Sequence, residues 1–151
     1  MSESALKARI TEAVKAAMKA LDKPRRDAIR LILAELKRVE VDERIVLDDA
    51  RVIAVLDKMA KQRRESIEQF DRGGRQDLVA SESAELAVIQ EFLPRALDSA
   101  EVDALIDDAL RDTGAAGIKD MGKVMAVLKP QLQGRADMSA VSQRIKTRLS
   151  G

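Results

Sequence analysis

Two stretches of the sequence carry side chains that could act on phosphate groups. Gly117–Val124 reads GIKDMGKV and has the G-x-x-x-x-G-K spacing with which backbone amides and a lysine cradle a nucleotide. Lys58–Leu78 reads KMAKQRRESIEQFDRGGRQDL and packs four basic residues between Lys58 and Arg64, the look of a nucleic-acid patch. Other chemistries are closed. The chain has no His and no Cys, which removes imidazole acid–base catalysis, thiol nucleophiles and the usual zinc ligand sets. The adjacent acids Asp48-Asp49 and Asp107-Asp108 suggest a hard-cation site. Neighbours on a helix point about 100° apart, however, and do not converge unless another helix supplies a ligand, so these read as solvated acids. No catalytic residue, metal, cofactor or small-molecule substrate is expected.

The phosphate-loop spacing fails on its context. Such a loop needs a preceding strand to aim its amides and a Ser or Thr after the lysine to hold magnesium. Val124 stands at the hydroxyl position, and no alternating strand pattern precedes Gly117. The stretch reads instead as the start of an amphipathic helix, in which Gly122 permits close packing or marks a ligand approach.

The elements that must position these residues are all helical. Leu6, Ile10, Val14, Met18 and Leu21 recur at helical spacing behind Ser2 or Ser4 as a cap. Asp22 and Pro24 restart the chain, and Ala28, Leu31, Ile32, Leu36 and Val39 line one side of a second helix. Glu40–Leu47 loses the pattern and reads as a connection. A third helix starts at Asp48 or Asp49, carries Val52, Leu56, Met59, Ile67 and Phe70, and stops at Gly73-Gly74. A fourth runs from about Asp77 to Leu93 and is closed by Pro94. We place a domain boundary near Leu97, giving an amino-terminal domain, 1–96, and a carboxy-terminal three-helix domain, 97–151. In the latter Asp98 and Glu101 form a capping box, Gly114 ends the first helix, and Pro130 ends or kinks the second. Gly134 turns the chain into the last helix, capped by Asp137. The expected fold is all-α, with a long antiparallel hairpin in the first domain.

Helical geometry gives the basic stretch a structural role. Along the apolar face Val52, Leu56, Met59, Ile67, Phe70, position 63 is an arginine, so Arg63 should point at the neighbouring helix. If Gly73-Gly74 folds an antiparallel hairpin, position 63 lies opposite about position 84. A buried arginine without a partner costs several kcal/mol, so a pair with Glu82 or Glu85 is expected. Outside, Lys61–Glu65, Arg64–Glu68 and Glu68–Arg72 stand at i,i+4 spacing, which favours a solvated, salt-bridged face over an RNA contact.

Charge is nearly balanced, 27 basic against 26 acidic residues, so no global field steers the chain toward polyanions. It is nevertheless segregated. Acids dominate from Asp77 to Asp112. From Lys119 onward Lys119, Lys123, Lys129, Arg135, Arg144, Lys146 and Arg148 face only Asp120 and Asp137. These seven are the candidate RNA-binding residues, able to contact phosphates and recognise shape. Without Trp or Tyr, base stacking and single-strand reading are not expected. The absence of cysteine, of a signal-like apolar start and of any membrane-length apolar run leads to the expectation of a soluble, cytoplasmic protein without a membrane partner.

Three ordered motifs, KQRRESIEQFDRGGRQDL, the run from Glu82 to Pro94 (ESAELAVIQEFLP), and IKDMGKVMAVLKPQLQGRAD from Ile118 to Asp137, together resemble the YqeY (GatB/YqeY-like) family over essentially the whole chain. The resemblance implies a larger helical amino-terminal domain. It also implies a tail similar to that of the B subunit of tRNA-dependent amidotransferases, where the tail contacts tRNA and the catalytic cradle is a separate domain. Nothing in the sequence resembles that cradle. The resemblance therefore implies a tRNA-binding accessory without its own catalysis. A helical protein–protein adaptor, its acidic Glu82–Asp112 surface meeting a basic partner, is the competing expectation.

Overall fold

Ser4 accepts a hydrogen bond from the Lys7 amide at 3.0 Å and so starts α1 (Ala5–Lys19). The computed structural model describes residues 4–150, so Ser2, the other candidate cap, lies outside the described residues. Asp22 accepts from the Arg25 amide and begins α2 (Lys23–Glu43), with Pro24 in its first turn, where a missing N–H costs nothing. The helix runs through Glu40, where a connection is expected from the sequence. Polar residues on its solvated side do not break the backbone ladder, and the Glu40 carboxylate is occupied. It accepts from Lys7 Nζ at 2.6 Å and from the Leu47 amide at 3.3 Å. The break comes at Arg44, in the left-handed conformation with φ 54°.

Asp48 caps α3 (Asp49–Arg72), and Asp49 accepts from the Ser4 hydroxyl and the Leu6 amide, tying the start of α1 to the start of α3. Gly73 and Gly74, the latter at φ 72°, fold α4 (Gln76–Phe92) back along α3. The core of this unit gathers Ile10, Ile29, Ile32, Leu36, Leu47, Val52, Leu56 and Ile89, all essentially inaccessible. It stops short of the hairpin tip. No residue between Ala60 and Ile89 is fully buried; Ile67, Phe70 and Leu78 are half-buried, and Leu86, also half-buried, packs on the edge of the core. The apolar assignments of Met18, Leu21 and Leu31 fail in another way, since these side chains are exposed. Met18 and Leu31 flank the stripe rather than centre it, and Leu21 stands in the left-handed residue that ends α1.

The chain divides into two compact units between Leu93 and Pro94. In the second, Asp98 and Glu101 form a reciprocal capping box at α5 (Ser99–Thr113), and Gly114, φ 63°, ends it. A 3₁₀ turn, Ile118–Asp120, leads into α6 (Met121–Leu132). Pro130 neither ends nor interrupts α6, which continues to Leu132. It lies on the exposed side with Ala126, the residue whose carbonyl loses its partner, so that carbonyl faces solvent. Gly134, φ 79°, makes the turn into α7 (Met138–Ser150). Val102, Ile106, Val124, Leu128, Leu132, Val141 and Ile145 close a three-helix core. The described residues are all-α.

Candidate nucleic-acid interface

The seven basic residues proposed for RNA divide into two chemically different groups. Helix α5 is antiparallel to α6 and α6 to α7, so α5 and α7 run the same way. Two contacts with equal sequence offsets record that register. Arg144 Nη1 lies 3.2 Å from Asp103 Oδ1, and Arg148 pairs with Asp107 one turn on, each 41 residues apart. Arg144 also donates to the carbonyl and hydroxyl of Ser99, one turn earlier on α5. These arginines stitch α7 to α5. Arg135 is likewise engaged: its Nε donates to the Arg95 carbonyl at 3.2 Å and its own carbonyl accepts from the Leu97 amide at 2.8 Å. Arg144 and Arg148 therefore belong to the bundle's own scaffold, whereas Arg135, whose Nε meets only a backbone carbonyl, makes no ion pair among the described residues. A sequence signal for the ladder exists, since Ser99, Asp103 and Asp107 are spaced at i,i+4,i+8 and Arg144 and Arg148 at i,i+4.

Lys119, Lys123, Lys129 and Lys146 behave differently. All four are exposed, and among the described residues none makes an ion pair within 4.0 Å. The 3₁₀ turn packs against α7, which puts Lys119 and Lys123 at the same end of the bundle as the second half of α7, where Lys146 stands. Asp120 does not neutralise them by contact. Its carboxylate accepts from the Ala116 amide at 3.0 Å, and this bond, more than the nearby Lys123 and Lys119, holds it below the ordinary Asp value.

The phosphate-loop spacing has no phosphate-loop structure. Gly117–Val124 forms the 3₁₀ turn and the first turn of α6, and no strand occurs among the described residues. A Cβ placed on Gly122 would meet nothing within 4 Å, so close helix packing is not what that glycine serves. The paired acids also have separate tasks. Asp48 caps α3, Asp49 holds α1, Asp107 meets Arg148 and Asp108 meets Arg111. Among the described residues no cluster of three or more acidic side chains could hold a metal ion, and no helix is long and apolar enough to cross a membrane.

In the first unit Arg63 points into the α3–α4 seam, 23% exposed, with Nε 2.9 Å from Glu85 Oε2 and 3.4 Å from Glu82 Oε2. The Nε–H is not aimed at either oxygen, so the attraction is coulombic rather than a directed hydrogen bond. One guanidinium thus serves two carboxylates. Burial, opposed by Arg63 and reinforced by the charge of Glu82, raises the Glu85 carboxyl above its ordinary value. Of the three outer pairs expected on α3, only Glu68–Arg72 forms. Among the described residues Lys61 and Arg64 make no ion pair, because Glu68 is taken by Arg72 and long side chains on a solvated face gain little by closing.

Comparison with known proteins places these features. The Pyrenophora tritici-repentis protein named "Altered inheritance of mitochondria protein 41, mitochondrial" is 31% identical over 95% of this chain and 81% of its own length. Proteins of the same name from Eremothecium gossypii and Lachancea thermotolerans are 38% and 32% identical, over 57% and 70% of this chain. This chain spans only 48% and 58% of those two relatives. The expectation of a cytoplasmic protein does not stand against relatives named as mitochondrial. Its physical basis separates reducing from oxidising and aqueous from membrane settings, and two reducing aqueous compartments look alike to such criteria. The Yqey-like protein family model matches residues 7–149, and the chain belongs to that family.

Proposed function

We propose that the protein is a non-catalytic helical module that binds structured RNA, tRNA first, through the lysines of its second unit. The observation that carries this reading is the contrast within the tail: Arg144 and Arg148 are paired with acids of α5, while Lys119, Lys123, Lys129 and Lys146 stay exposed and, among the described residues, unpaired. Unpaired lysines on a rigid bundle suit phosphate contacts, which position folded RNA without reading bases. The likeness of the tail to that of the amidotransferase B subunit makes an accessory role in tRNA-dependent amidation the specific form of the proposal. The adaptor reading loses ground on the same accounting. Glu91, Glu101, Asp103, Asp107 and Asp108 of the acidic surface are each paired with an arginine.

The test is equilibrium binding of unmodified tRNA at two salt concentrations. Four phosphate contacts predict a loss of about a hundredfold between roughly 50 and 200 mM salt. Combined Lys119→Glu and Lys123→Glu should remove most of the affinity. Binding absent at low salt, or insensitive to both changes, contradicts the proposal.

A further inference from the structure

Along α2 four cations recur at a fixed interval. Lys23, Arg30, Lys37 and Arg44 stand seven residues apart, all are exposed, and among the described residues none makes an ion pair. Seven residues are nearly two turns, so the row drifts only about 20° per step and spaces its charges about 10 Å apart. The buried residues Ile29, Ile32, Leu36 and Val39 lie on another side of the helix. Exposed apolar side chains stand among the cations. Leu21, 82% exposed, precedes Lys23, and Val41, 63% exposed, lies between Lys37 and Arg44. Met18 of α1, also exposed, has its Sδ 3.9 Å from Arg30 Nη2. We infer that this face docks on the surface of an anionic lipid bilayer. The cations meet the headgroups, and the aliphatic side chains between them dip below.

Counting the acids leaves the face positive. From Ser4 to Arg44 eleven basic residues stand against seven acidic ones. Glu12 is met by Lys15, Asp27 by Arg26, Glu35 and Asp42 by Arg38, and Glu40 by Lys7. Glu43 is met by Arg51 of α3, while Arg25 goes to Glu91 of α4. Asp22 caps α2. Asp27 also feels Arg30 and Lys23, and Glu40 also feels Lys37. Even so, at the turn Lys19, Lys23, Arg26 and Arg30 outnumber Asp22 and Asp27 by two.

Leu21 points to the kind of occupant. Its amide donates to the Met18 carbonyl at 3.2 Å, and the Asp22 amide donates to the Ala17 carbonyl at 2.9 Å. Leu21 thus closes α1 at φ 58°, in the left-handed place where glycine is favoured. A leucine there strains the backbone and leaves its side chain in water, so folding gains nothing from it. Contact outside the chain is what that side chain offers. Leucine and valine have no face for base stacking, which disfavours RNA along this row. A straight row about 30 Å long, with aliphatic side chains set among its cations, matches a flat layer of anionic headgroups over acyl chains. The expectation of no membrane partner rests on the absence of a membrane-length apolar run, which a surface-bound face does not need.

The experiment is sedimentation of the full chain with vesicles of phosphatidylcholine and phosphatidylglycerol in a three-to-one ratio, and with vesicles of phosphatidylcholine alone. The protein should pellet with the first and stay in solution with the second. Arg30→Ala with Lys37→Ala should weaken partition about twenty-fivefold, about fivefold for each cation. Leu21→Gly with Val41→Ser leaves the charge unchanged and should weaken it about tenfold. All four positions are exposed, so the fold tolerates these changes. Lys119→Glu with Lys123→Glu should leave vesicle binding as it is. No pelleting with anionic vesicles, or pelleting untouched by Leu21→Gly with Val41→Ser, would overturn the docking face. Arg30→Ala with Lys37→Ala lowering tRNA affinity as far as it lowers vesicle binding would assign the row to RNA and overturn the lipid assignment.

Discussion

Across the α3–α4 hairpin, Arg63 Nε lies 2.9 Å from Glu85 Oε2, at a level where no residue of either helix is fully buried. The fully buried core of the first unit ends near Met59, Ala60 and Ile89, with Leu86 and Val88 packed half-buried on its edge. At that edge a guanidinium between two carboxylates links the two helices across the seam. The turn at Gly73-Gly74 joins them at the other end.

Removing that guanidinium should leave Glu82 and Glu85 facing each other without compensation. Arg63→Ala is expected to destabilise the protein by about 1–2 kcal/mol, below the fully buried case because the groups are partly solvated. Adding Glu82→Gln and Glu85→Gln should recover most of the loss. Urea unfolding reports it as a shifted midpoint at constant slope. A triple variant no more stable than Arg63→Ala would contradict the account.

The pH response of the two units should differ in sign at identified groups. Glu85 is raised above its ordinary 4.5, chiefly by burial, so its ionised form opposes folding above the raised value. That opposition disappears as pH falls through the raised value toward 4.5. Glu101 is lowered to about 2, first by its hydrogen bond from Arg95, so it contributes stability above 4.5 that is lost as pH falls from there to about 2. Side-chain carboxyl NMR should show Glu85 titrating above, and Glu101 well below, the ordinary value, with Arg95→Ala returning Glu101 upward.

The α5–α7 ladder predicts a rescue by charge exchange. Arg144→Asp or Asp103→Arg alone should destabilise the second unit by about 1 kcal/mol, and the double exchange should restore part of it. The restoration is partial because Arg144 also donates to Ser99. Thermal unfolding of the four proteins in the cycle measures the coupling. Strictly additive effects would contradict the ladder.

Backbone conformation separates glycines that look alike in the sequence. Gly74→Ala forces a Cβ at φ 72° and should cost about 1 kcal/mol. Gly122→Ala meets open space inside α6 and should stabilise by up to about 1 kcal/mol. Leu21→Gly, at φ 58° and 82% exposed, should also stabilise. Unfolding midpoints that order these three otherwise would contradict the backbone assignment.

The helices, the caps at Asp22, Asp48 and Asp98, and the glycine stops were legible because each rests on local chemistry. Arg63 was legible because a charge interrupting an apolar stripe needs a partner at a calculable level. The fate of Arg144 and Arg148 was not, since it depends on which helix lies beside α7 and in which direction. A run of like charge in the sequence does not reveal how much of it the fold consumes internally. Pro130 and Glu40 were misread for different reasons: Pro130 sits on the exposed side of α6, which continues past it to Leu132, and Glu40 lies within α2 with its carboxylate taken up by Lys7 and the Leu47 amide.

The most direct measurement of the central claim compares tRNA affinity across two variants of equal charge change. Lys119→Glu with Lys123→Glu removes lysines exposed and unpaired, and Lys58→Glu with Lys61→Glu changes two exposed lysines of the first unit. The tail lysines predict a loss of affinity on the order of a hundredfold for the first pair and a much smaller one for the second. Equal losses would reduce the interaction to nonspecific charge, and no loss in either would contradict an RNA-binding tail.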